Sequence, residues 1–97
     1  MIRHICMFRL EEENKEENVK KALTLAGELL RPLPQLRGYD VVTNSQKAPS
    51  DNYDLSLIFD FENIEDLSTY QKHPNHVAFG DFIKSVRTDR ACIDYEF

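Results

Sequence analysis

Tyr70, His73 and His76 crowd around Pro74, and there the chain gathers its side chains best able to move protons. An imidazole titrates near neutrality and can act as a base, while a phenol can donate to an oxygen that is gaining charge. Pro74 suits the first position of a helix, which puts His76 in that helix's first turn. The positive end of the helix dipole disfavours an imidazolium, so the spacing predicts a neutral, proton-accepting ring at His76. Tyr70, just ahead of the proline, is placed to donate to an enolate oxygen. Asp94, far along the chain, can accept from one ring nitrogen of His76 and fix its tautomer. Base, donor and orienter together make a minimal kit for abstracting a proton next to a carbonyl. His4, His73 and Phe79 are the supporting candidates.

The same residues also have structural uses. His73, held extended by the following proline, suits a helix cap. His4 can be a polar member of an inward strand row that bonds to Asp94 across a strand pair. An antiparallel register that sets His4 opposite Asp94 also sets Cys6 opposite Cys92. Tyr70 can be an amphipathic core residue. His76 reads equally well as structure or function. A metal site built from His4, His73 and His76 lacks any recognised ligand spacing, and neither metal nor cofactor is expected.

The elements that must position these groups follow from periodicity. Ile2 to Leu10 alternates, with Ile2, His4, Cys6, Phe8 and Leu10 on one face and Arg3, Ile5, Met7 and Arg9 on the other. Asn14 and Glu17 have capping-box spacing, so a helix is expected from about Lys15, with Val19, Ala22, Leu23, Ala26, Leu29 and Leu30 inward and Pro32 and Pro34 ending it. Leu36 to Asn44 reads as a strand, Ser45 to Asn52 as a polar loop, and Tyr53 to Phe61 as the most regular strand. Asn63 caps a short helix with Ile64, Leu67 and Tyr70 inward. Pro74 opens another that carries Val77, Phe79, Phe82, Ile83 and Val86, and Ala91 to Phe97 closes the chain as a strand.

The order is β-α-β-β-α-β, an α+β, ferredoxin-like sandwich whose helices cover one face of a four-stranded antiparallel sheet. The other face, with Ile5, Met7 and Ile58, needs cover, and a second copy packed about a twofold axis would supply it. Ninety-seven residues make one domain, 1–97. A net charge of −5 excludes a phosphate-binding surface, so no nucleic-acid partner is expected. Early charges at Arg3 and Arg9 interrupt any apolar leader or membrane span, and a cytoplasmic protein is expected. Cys6 and Cys92, widely separated, are expected to be reduced core residues.

Four stretches together resemble the stress-responsive A/B barrel, or Dabb, domain. They are Met1-Ile2-Arg3-His4-Ile5, the strand from Tyr53-Asp54-Leu55 to Asp60-Phe61, Tyr70-Gln71-Lys72-His73-Pro74-Asn75-His76-Val77, and Asp94-Tyr95. The resemblance spans the whole chain and is most specific in the His-Pro-x-His-Val segment after a tyrosine. It implies a homodimeric α+β barrel of two ferredoxin-like subunits, most of whose relatives have no assigned reaction. A plant member closes and aromatises a linear polyketide by aldol condensation. Its Tyr and His fall on Tyr70 and His76, and other pocket positions fall on His4, His73 and Asp94. The first helix departs from that enzyme, with Leu23, Leu25, Ala26 and Leu29 where it carries aromatic residues. The expected function is binding of a small, partly apolar molecule between helices and sheet. A cofactor-independent lyase, cyclase or isomerase and a ligand-free structural oligomer are the alternatives.

Overall fold

A computed structural model describes residues 1–97. Strand β1 (Ile2–Leu10) buries every second side chain and leaves the intervening ones half-exposed, and β3 (Leu55–Phe61) does the same. With β2 (Leu36–Thr43) and β4 (Arg87–Glu96), they form one antiparallel sheet in the order β2-β3-β1-β4. Helices α1 (Lys15–Leu25), α2 (Ile64–Lys72) and α3 (Pro74–Val86) lie on the buried rows. Ala22, Ala26 and Leu30 of the α1 segment, Leu67 and Tyr70 of α2, and Phe79, Ile83 and Val86 of α3 close the core against Leu55, Leu57, Phe59 and Phe61. Each large apolar side chain sealed this way contributes roughly 1.5–3 kcal/mol.

Two local devices aim the start of α3. The α1 segment ends in a π-helical turn over Ala26–Leu30, where Arg31 N–H bonds the Ala26 carbonyl at 3.0 Å. The Asn75 side-chain amide donates to the Leu29 carbonyl of that turn at 2.9 Å. His73, extended at φ −63° and ψ 139°, accepts the Asn75 main-chain N–H at its Nδ1 at 3.0 Å, and Pro74 follows as the first helical residue. The first turn of α3 is thereby tied to its own cap and to α1.

Several expectations need correcting. Asn14 has a left-handed backbone (φ 57°) and its side chain caps nothing; the turn instead rests on the Asn14 carbonyl accepting from Asn18 N–H at 2.9 Å. Ile64, Val77 and Leu23 are exposed. The inward stripe of α3 is Phe79, Ile83 and Val86, and Val77 lies off it, while Ile64 opens α2 one turn before its first buried residue. Strand β4 begins at Arg87, because pairing with β1 extends to Leu10 across a register shift and overrides the polar composition of Thr88, Asp89 and Arg90. Cys6 and Cys92 are bonded as a disulfide. Their Cα atoms are 4.2 Å apart because the β1–β4 ladder sets them directly opposite each other, the same register that pairs His4 with Asp94.

On the helix-free face, Ile5, Met7 and Ile58 form a half-exposed apolar band that Ile93 of β4 continues at 60 % exposure. Arg3 crosses it in a two-pronged pair with Asp60, Nε to Oδ1 at 2.7 Å and the second nitrogen to Oδ2 at 3.1 Å. Gly38 lies at the β2–β3 register shift, where a Cβ would come within 2.7 Å of Asp60 Oδ2. No helix is long and apolar enough to cross a membrane.

Candidate functional site

Between α3 and the β1–β4 half of the sheet lies a cavity of about 270 Å³. Its floor is apolar, with Phe8, Leu57, Phe79 and Ile83; His4, Gln71 and His76 supply polar groups, and Lys84, Arg87 and Arg90 stand around it. Gly80 forms part of the wall, and a Cβ built there meets no atom within 4 Å. The Cys6 end of the disulfide also borders the cavity.

Of the candidates read from the sequence, His76, His4 and Phe79 line this space. His76 is set by the pinned first turn of α3. Its pKa falls below the usual histidine range, first because burial penalises the charged ring, against which the Gln71 main-chain carbonyl pulls upward. His4, Arg90 and Lys84 depress it further. The direction expected at His76 is thus found, but its leading cause is desolvation rather than the helix dipole.

Tyr70 does not reach the cavity. Its ring is fully buried, edge-on to His76 at 4.8 Å between centroids and packed against Phe59 and Phe61. Its hydroxyl has no hydrogen-bond partner, and burial lifts its pKa well above the usual phenol range, so the group stays protonated. Asp94 is committed to His4, accepting from His4 Nδ1 at Oδ1, and not to His76. That bond leaves Nε2 as the ring nitrogen of His4 without a protein partner. His73 is the cap of α3 and lines no part of the cavity. His73 thus stands apart from His4 and His76. A different trio does converge: one ligand atom each from His4, Cys6 and Cys92 lie within 4.8 Å of one another, with the two sulfurs already spent on their own bond.

The sequence reading missed Gln71, Gly80, Lys84, Arg87 and Arg90. For the cations a signal existed, since the three recur at every third position across the end of α3 into β4. The signal is faint because Arg87 and Arg90 fall between the helix expected through Val86 and the strand expected from Ala91.

An antiparallel four-stranded sheet roofed by helices on one face, with a histidine-walled pocket beneath α3, defines a ferredoxin-like α+β barrel subunit. The family model for the Stress responsive A/B Barrel Domain matches residues 2–97, and the chain belongs to this Dabb family. Olivetolic acid cyclase from Cannabis sativa is 26 % identical over 98 residues, covering 97 % of this chain and 94 % of that one. Among solved structures, a dimeric ferredoxin-like protein of unknown function from Thermobifida fusca superposes with a TM-score of 0.89 at 27 % identity, covering 99 % of this chain and 90 % of that chain. A dimeric protein of unknown function and ferredoxin-like fold from Bacteroides fragilis gives 0.81 at 30 % identity, covering 99 % and 95 %. The hydroxynitrile lyase of Passiflora edulis shares the fold at a TM-score of 0.81 and 14 % identity over 97 % of this chain and 90 % of its own.

Proposed function

We propose that this chain, a single domain over 1–97, works as a homodimeric A/B-barrel protein that binds a small, partly apolar molecule in the cavity beneath α3. The observation that carries the reading is the cavity itself: an apolar floor with His4, Gln71 and His76 converging on it is the usual make-up of a small-molecule site. Gly80→Leu tests it. The new side chain grows into open space, and leucine is a better helix former than glycine by up to about 1 kcal/mol, so the fold should hold. In ¹H–¹⁵N spectra, apolar fragments should shift the Gln71, His76 and Gly80 amides of the parent and leave the filled variant unmoved. Fragment shifts scattered elsewhere, or unchanged by filling, would overturn the reading.

Dimerisation through the helix-free face is supported by the apolar band of Ile5, Met7, Ile58 and Ile93 and by the dimeric relatives. Ile93→Glu should convert a dimer to monomer in sedimentation velocity, and a dimer that survives it uses another surface.

A second reading, a cofactor-independent lyase, cyclase or isomerase, is favoured by the uncharged ring at His76 and by the likeness to olivetolic acid cyclase. Here His76 is the base, with Tyr70 behind it as an oriented neighbour that must move to donate to substrate. Turnover lost in His76→Ala and kept in His73→Ala would support it. A cytoplasmic location stands in tension with the disulfide, because that compartment keeps thiols reduced. Thiol blocking at the moment of lysis, followed by electrophoresis with and without reductant, decides between them.

A further inference from the structure

Lys84, Arg87 and Arg90 stand together at the cavity, from the last turn of α3 into the first residues of β4. None of them takes part in an ion pair, although the chain holds 17 acidic residues against 12 basic ones and carries a net charge of −5. No carboxylate lines the cavity. On a surface this acidic, three cations left without partners beside one apolar hollow make a local positive field where the rest of the molecule repels anions. Clefts of one sign with low-dielectric walls concentrate the opposite charge, and guanidinium forks match carboxylate and sulfonate oxygens in a two-pronged geometry. The cavity they stand around is lined on the α3 side by Phe79 and Ile83. Its size fits a ligand of about two fused rings or a short chain.

We infer that the pocket recognises an organic anion, a carboxylate or sulfonate borne on an apolar body, with Lys84, Arg87 and Arg90 holding the charge and Phe79 and Ile83 the body. This inference rests on the pocket reading above and adds the ligand's charge to it. The burial that keeps His76 uncharged leaves the cations at the mouth to carry the attraction. Since Lys84 and Arg90 are exposed, the attraction is screened by salt.

Two fluorescent probes with the same aromatic body test the idea: 8-anilinonaphthalene-1-sulfonate, and N-phenyl-1-naphthylamine, which lacks the sulfonate. Each is titrated into the parent protein, an Arg87→Gln/Arg90→Gln double variant, and Gly80→Leu. The sulfonate should bind the parent at least tenfold more tightly than the neutral amine, the double variant should erase most of that ratio, and Gly80→Leu should lose both probes. Equal binding of the two probes, both abolished by Gly80→Leu, would overturn the anion inference and leave the pocket standing. So would a sulfonate preference that survives the double variant. Binding of either probe that Gly80→Leu leaves intact overturns the pocket reading itself, and the anion inference with it.

Discussion

Strands β3 and β4 flank β1 in the same antiparallel manner, yet the two sides of the sheet have opposite characters. On the β3 side, Leu55, Leu57, Phe59 and Phe61 are all at most 3 % exposed beneath the helices. On the β4 side, the residues that share the helix-facing row, Arg90, Cys92 and Asp94, are exposed. Three helices on a four-stranded sheet run out of cover before the last strand, and the uncovered margin is where the cavity opens. The sealed side supplies stability, and the unsealed side supplies polar side chains that a ligand can reach.

The largest effect should come from the sealed side. Phe59→Ala removes a ring with no exposed surface and should cost roughly 3–5 kcal/mol in urea unfolding. A loss under about 1 kcal/mol would show that the β3 side is not the stability centre. On the open side, β4 is held by the ladder, the disulfide and a few side-chain bonds such as His4 to Asp94 and Tyr53 to Asp89. Reduction, or Cys92→Ser, should cost about 2–4 kcal/mol, read as a lowered urea midpoint in the presence of reductant. An unchanged midpoint would mean that the bridge does not form in solution.

Tyr70 sits between the two regions. Tyr70→Phe removes a buried hydroxyl that bonds to nothing and should stabilise the fold by about 1 kcal/mol. Lost stability would reveal a partner for that hydroxyl. His76 gives the open side a pH dependence. Its folded pKa is depressed below 6.5, so the unfolded chain binds more protons as the medium is acidified. Its contribution is intact above about pH 7, is lost as the pH falls through the unfolded value of about 6.5, and stops changing once the folded ring also protonates. His76→Asn should flatten that slope in thermal melts between pH 7 and 5. The smallest effect is at the rim: Arg90→Gln should alter stability by no more than about 0.5 kcal/mol.

What the sequence disclosed divides along the same line. The bounds of β1 and its inward row were legible, because strict alternation admits one face; the register that sets His4 opposite Asp94 and Cys6 opposite Cys92 was one of several that alternation allows, and it is the one observed. The cap at Asn63 and the break at His73–Pro74 were legible from local chemistry. Illegible features depended on distant partners. Asn14 has capping chemistry but a left-handed backbone, and Asp94 had two histidines to choose between. Arg87 to Arg90 looked like a corner until β1 drew them into a strand. Compartment and spacing point to reduced cysteines, whereas the register that joins them follows only once His4 is paired with Asp94. Of the site, His4 and Phe79 fall on the inward rows that periodicity sets and His76 in the turn that Pro74 opens, whereas the cations carry only their every-third spacing, too little to separate a site from a solvated turn.

The bridge between Cys6 and Cys92 spans a sequence separation of 86, with residues 1–5 and 93–97 as tails outside the loop it closes. Those tails meet: Met1 and Phe97 exchange main-chain hydrogen bonds of 3.1 and 3.3 Å. Topologically the molecule is a closed ring, so a load applied to its two ends peels the pairs outside the bridge, Ile2–Ile5 against Ile93–Glu96, and then travels through sulfur without reaching the rest of the sheet. Pulled under oxidising conditions, it should lengthen by no more than the tails allow, about 3.5 Å per freed residue, and unravel only after a thiol has cut the ring.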